Sequence, residues 1–205
     1  MDIEQTKETG IKIILLGEAG VGKTNLIAVS TGQKFIPDTK SSLFSSFREG
    51  SYESKNGKTY LFNLWDTAGQ ELYRSLNKIY IKNSKIVLVV YAIDNVHSFK
   101  EIDYWINYVK SLLNDGEYIL ALVGNKSDKY ESQTVPDEDA QKAAQKYGIK
   151  FKITSALTEA SSFKLFIYEL IEDYMKLIGP NGEKDLKEKA LIITNKNKGK
   201  KSKCC

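Results

Sequence analysis

Lys23 and Thr24 close the stretch Gly17-Glu18-Ala19-Gly20-Val21-Gly22-Lys23-Thr24, with Asn25 following. Glycines at both ends of the loop let its backbone turn the N–H groups inward, and with the N-terminus of the next helix they form a concave anion site. Lys23 then reaches the terminal phosphates of a nucleotide, and the Thr24 hydroxyl can ligate the Mg²⁺ that bridges them. A second segment, Asp66-Thr67-Ala68-Gly69-Gln70-Glu71, suits the far side of the same ligand. Asp66 at a strand end suits an indirect, water-mediated hold on the metal, Gly69 permits a backbone N–H close to a γ-phosphate, and Gln70 can orient an attacking water. In Asn125-Lys126-Ser127-Asp128 the Asp128 carboxylate can accept from guanine N1–H and from the 2-amino group, neither of which adenine offers. A buried carboxylate left unpaired penalises the wrong base, by about 10⁴ or more in sites built this way, so guanine is the expected base. Ser155-Ala156 is the fourth marked segment.

Four segments so distant in sequence need a fold that gathers them. The apolar run Ile11 to Leu16 reads as a strand and Thr24 to Thr31 as a short helix ended by Gly32. Gln33 to Ser46, polar and with Pro37, reads as a long loop beside the phosphate site. Phe47 to Ser54 and Lys58 to Trp65 flank Asn56-Gly57, a strong hairpin signal. Ile86 to Tyr91 and Tyr118 to Val123 are continuous apolar runs of the buried-strand kind, and Lys150 to Ile153 is a last short strand. Ile102, Trp105, Ile106, Val109, Leu112 and Leu113 mark one face of a helix. Pro136 opens another, closed by Gly148, and Phe163, Phe166, Ile167, Leu170, Ile171, Tyr174 and Ile178 form the stripe of a final one. The expected fold class is α/β: a three-layer sandwich around a six-stranded, mostly parallel sheet with one antiparallel strand. Such sheets bind ligands at the carboxyl ends of their strands, where all four segments fall.

Composition narrows the partners. The chain has 205 residues with 30 basic and 26 acidic, but its last ten hold five lysines and no acid, so the rest carries a net charge of −1. A near-neutral body argues against nucleic acid as a partner, and a basic end suits a local electrostatic anchor. Both cysteines, Cys204 and Cys205, end the chain, so no disulfide framework is expected and the reducing cytosol is the expected compartment. Residues 1–10 read as a flexible N-terminus, 11–178 as the nucleotide-binding domain and 179–205 as a disordered basic tail. His97, the only histidine, is expected at a solvated surface.

With GEAGVGKT, WDTAGQE, NKSD and TSA in this order, residues 11 to 178 resemble the Rab branch of the small Ras-like GTPases. Trp65 before Asp66, the short interval from Asp128 to Ser155 and the paired C-terminal cysteines point to the same branch. The resemblance implies the P-loop small GTPase fold, GTP and GDP as ligands, Mg²⁺ as cofactor and monomeric action. It implies further that Phe35 covers the guanine ring, that Lys126 flanks its face, that the Ala156 N–H meets guanine O6 beside Leu157, and that Cys204 and Cys205 carry geranylgeranyl groups. Two lipid chains anchor a protein stably to a membrane where one is marginal, and neighbouring lysines add about 1 kcal/mol each near an anionic leaflet. The implied partners are an exchange factor, a GTPase-activating protein, a GDP dissociation inhibitor or escort protein, and effectors. The implied site of action is the cytosolic face of intracellular membranes, in vesicle trafficking.

Several positions depart from the family pattern. Ser42-Leu43-Phe44 stands where relatives carry Thr-Ile-Gly, which leaves Ser42 as the expected third metal ligand beside Thr24 and Asp66. Ala19 replaces Ser or Gly nearest the γ-phosphate, and Leu157 replaces a lysine. Two readings follow: a slowly hydrolysing switch that needs a partner to supply the missing arginine, and a guanine-nucleotide-bound interaction module with impaired switching, suggested by Ser42 and Phe44. A P-loop kinase is disfavoured because NKSD has no role there.

Overall fold

In the computed structural model, which describes residues 10–37, 46–66 and 74–198, the apolar run Ile11–Leu16 is strand β1, every residue of it buried. Strand side chains alternate between faces. Ile11, Ile13 and Leu15 therefore join one core cluster, while Ile14 and Leu16 join the other. Helix α1, Lys23–Ser30, follows the glycine loop directly. Strands β2, Ser46–Glu53, and β3, Thr59–Asp66, pair antiparallel across the turn containing Asn56-Gly57, where Gly57 has φ 73°. The remaining elements are α2 (Arg74–Ile81), β4 (Ile86–Ala92), α3 (Val96–Lys100), α4 (Ile102–Leu112), β5 (Ile119–Asn125), a 3₁₀ helix (Ser127–Ser132), α5 (Asp137–Tyr147), β6 (Lys150–Ile153) and α6 (Ala160–Lys198).

The sheet runs β2-β3-β1-β4-β5-β6, and every pairing except β2 with β3 is parallel. One face of it is covered by α1 and α6, through Leu26, Ile27, Phe163, Ile167 and Leu170; α4 and α5 cover the other through Trp105, Ile106, Val109, Ala140 and Ala144. The three-layer α/β sandwich with six strands and one antiparallel strand is the fold expected from the sequence.

Differences lie in elements that carry no readable period. The five-residue α3 is too short to show one, and it starts on an Asn95 cap whose Oδ1 accepts from the Ser98 N–H at 3.1 Å. His97 lies within it, exposed. The break expected after Ile178 is present as Gly179, with φ 61° and ψ −171°, but the backbone is helical again up to Lys198. Pro180 follows that break, at a position where its missing N–H costs no helical hydrogen bond. Lys58 on the hairpin pairs with Glu183 at 2.9 Å, and Leu186 packs against the core cluster of α1 and α6. Among the described residues no helix is long and apolar enough to cross a membrane.

Candidate nucleotide site

Strand register brings the marked segments to one edge. Leu15 lies opposite Asp66, Leu16 opposite Val89, Ala92 opposite Asn125 and Gly124 opposite Ile153, so the parallel strands β1, β3, β4, β5 and β6 bring their carboxyl ends to the same edge. The glycine loop sits across this edge against the β4 backbone. At Gly17, φ is 140° and a Cβ would come 2.1 Å from the Val90 carbonyl oxygen. At Gly22, φ is 95° and a Cβ would come 2.3 Å from Nδ2 of Asn125. Glycine is thus required twice, once by the strand behind the loop and once by the residue that braces it. Between these two, Ala19 and the exposed Gly20 form the outer rim, and Val21 is fully buried.

Lys23 is 5% exposed, and its ammonium donates to the carbonyls of Gly17 at 2.7 Å and Glu18 at 2.8 Å. Burial lowers its pKa to about 8, against the opposing charges of Asp66 and Glu18. Asp66 is 3% exposed, and Thr24 sits half-buried at the start of α1. A hydroxyl and a buried carboxylate beside a glycine loop are oxygen donors and backbone of the kind a Mg²⁺-bound phosphate takes.

Asn125 ties the phosphate side to the base side. Its Nδ2 donates to the Val21 carbonyl at 2.8 Å and its Oδ1 accepts from the Ala156 N–H at 3.2 Å. Beyond it, Lys126 takes φ 69°, the left-handed region, and turns the chain into the 3₁₀ helix. The Ser155 hydroxyl donates to Asp128 Oδ1 while accepting the N–H groups of Leu157 at 3.0 Å and Thr158 at 3.1 Å. Asp128 is therefore held in one orientation before any base arrives. Leu157 itself is half exposed.

Asn25 has a task the sequence did not suggest. Its Nδ2 donates to the Ile36 carbonyl at 3.0 Å and its Oδ1 accepts from the Ile36 N–H at 3.2 Å, which fixes the segment carrying Phe35 against α1. Asp94 was likewise missed. Its carboxylate lies 2.8 Å from Lys129 Nζ and 3.7 Å from Lys126 Nζ, and burial, which pushes its pKa up, is outweighed by these lysines, leaving it below the ordinary carboxylate range. An acid just past a buried strand, on the edge that already holds Asp66 and Asp128, was the available signal. Ser42, Gly69, Gln70, Cys204 and Cys205 lie outside the described residues, as does Phe44.

Comparison with known proteins matches residues 12–176 to the model of the Ras family. The chain is 34% identical over 163 residues to the Ras-related protein Rab2BV of Beta vulgaris, covering 80% of this chain and 75% of that protein. It is similarly 34% identical over 163 residues to the Ras-related protein RABA2b of Arabidopsis thaliana. The Ras-related protein RABA2d of Arabidopsis thaliana is 33% identical over 172 residues, 84% of this chain and 78% of that protein.

Proposed function

The chain belongs to the Ras family as a Rab-like small GTPase, and from that premise we propose that it is a guanine-nucleotide switch that hydrolyses GTP slowly and acts while anchored to a membrane. The observation that carries this reading is the buried Lys23 ammonium, seated on two loop carbonyls on the same sheet edge as an Asp128 already oriented by Ser155. Phosphate and base recognition are both preorganised, at the separation that Asn125 sets.

In this reading the loop N–H groups and the Lys23 ammonium stabilise the negative charge that develops on the β- and γ-phosphate oxygens. Asp128 selects guanine, Ala156 N–H meets O6, and Lys126 and Phe35 enclose the ring. Gln70 orients the water for in-line attack. Mg²⁺ would be held by Thr24, Asp66 and, in the GTP state, Ser42, and it supplies further positive charge at the same oxygens. Arg48 lies in strand β2 and Arg74 opens α2, so neither stands in the segments that line the phosphate cradle. Hydrolysis therefore depends on a GTPase-activating protein, whose contribution is worth about 10³ to 10⁵ in rate. Loss of the γ-phosphate releases the segments around Ser42 and Gln70, and effectors read the change. The lipidated Cys204 and Cys205, with the lysines before them, hold the switch on the cytosolic face of its membrane, and exchange factor and escort protein complete the cycle.

Displacement of a fluorescent GDP analogue by GDP and by ADP tests the base assignment. GDP is expected to compete better by a factor of about 10³ or more. Equal competition, or a preference for ADP, would overturn it.

A further inference from the structure

Glu18 is the second residue of the glycine loop, yet its side chain does not face the phosphate cradle's open rim. It is 6% exposed, and its Oε1 accepts a hydrogen bond of 3.1 Å from Nε1 of Trp105, 87 residues away on α4. Burying a carboxylate in a loop that must hold phosphates is unfavourable twice over, through lost hydration and through repulsion of the ligand. The indole N–H offsets part of the first cost. The second is offset by Lys23, whose ammonium donates to the Glu18 carbonyl at 2.8 Å and feels the charge of the Glu18 carboxylate. A continuous link therefore runs from the Trp105 indole through Glu18 to the Lys23 ammonium.

The α4 end of this link is rigid. Trp105 is 4% exposed and belongs to the same core cluster as Ile102, Ile106 and Val109, and its ring meets Tyr104 edge-on at 5.3 Å. The loop is braced at Gly17 and Gly22, but its tip is open, since Gly20 is exposed and a Cβ there would meet nothing within 4 Å. A buried, charge-assisted hydrogen bond from a fixed helix to such a loop determines where the loop sits.

We propose that Trp105 is a positioning residue for the phosphate site: through Glu18 it holds the glycine loop where Lys23 meets the phosphates, and so sets how long the nucleotide stays bound. This rests on the guanine-nucleotide reading given above.

The test is the release rate of a fluorescent GDP analogue from the full chain, wild type against Trp105→Phe, Glu18→Gln and the double variant. Trp105→Phe keeps an aromatic ring but removes the donor together with part of the buried indole's volume, whereas Glu18→Gln leaves the packing of α4 intact. Trp105→Phe is expected to speed release about tenfold, the effect of one charge-assisted hydrogen bond. The double variant is expected to be no faster than the faster single, because Glu18→Gln removes only the charge that strengthens a bond whose donor Trp105→Phe already takes away. The chain has two tryptophans, so the indole N–H resonance that Trp105→Phe abolishes is identified directly. That resonance is expected to move in Glu18→Gln and to differ between the GDP-bound and nucleotide-free protein. Release unchanged in both single variants, rates that multiply in the double, or an indole resonance indifferent to Glu18→Gln would each overturn the proposal. Should Trp105→Phe fail to fold, Glu18→Gln and the wild-type resonance decide alone. Wild-type protein that retains no GDP analogue at all would instead overturn the nucleotide reading beneath it.

Discussion

A methyl group at position 22 would strike Nδ2 of Asn125 at 2.3 Å, on a backbone with φ 95°. Gly22→Ala therefore forces Asn125 off the Val21 carbonyl as well as straining the loop. Leaving one or two buried backbone groups unpaired costs about 1–3 kcal/mol each, so GDP release is expected to rise by about two orders of magnitude, measured by fluorescent nucleotide exchange. Asp94→Asn tests the other side of the base. Because the Asp94 carboxyl sits below its ordinary value when folded, its contribution is present above the unfolded value of about 3.9 and is lost as pH falls through the lower folded value. The variant is expected to be less stable than wild type at neutral pH by about 1 kcal/mol, and the gap in melting temperature is expected to close below about pH 4. Lys23 and Asp128 were legible as candidates because a nucleoside triphosphate would dictate their types and their loops, and the sequence named Asn25 without its bond to Ile36. Asp94 and Trp105 were not legible, since each works on a residue that only the folded sheet brings near: Lys126 and Glu18.

At the scale of elements, legibility followed burial. Strands β4 and β5 pack on both faces, so Ile86 to Tyr91 and Tyr118 to Val123 carry an uninterrupted apolar signal, and the Asn56-Gly57 turn announced the antiparallel pairing of β2 with β3. Helix α3 is short and is fixed by tertiary contacts, with the Ser98 hydroxyl accepting from the Ala92 N–H at 3.0 Å. Those contacts leave no period in the chain. The helix beyond Gly179 has the same origin. Its first turns are held to the hairpin by the Lys58–Glu183 pair and to the core cluster of α1 and α6 by Leu186. Reversing the charge with Lys58→Glu is expected to raise amide hydrogen exchange between residues 180 and 186 selectively. The main unfolding midpoint should move by no more than about 2 °C, since an exposed pair contributes little to global stability. Unchanged exchange in that window would show that Leu186, and not the ion pair, holds the segment.

At the scale of the molecule, one strand order does most of the work. Placing β1 between β3 and β4 sets the glycine loop beside Asp66, and continuing through β5 to β6 sets Asn125 beside Ala156. In the proposed reading one half of this edge takes phosphate and the other takes the base, and the buried Asn125 bonds to both. Asn125→Ala is expected to weaken both halves together, lowering GDP affinity by about 10²-fold or more while GDP remains preferred to ADP, because Asp128 keeps its partner Ser155. The central claim, a hydrolysing guanine switch, is tested most directly by single-turnover GTP hydrolysis in wild type and Gln70→Leu, each with and without a Rab-type activating protein. Wild type is expected to hydrolyse slowly alone and about 10³ to 10⁵ faster with the activating protein, and Gln70→Leu to remain slow in both. Wild type and Gln70→Leu equally inert under both conditions would contradict it.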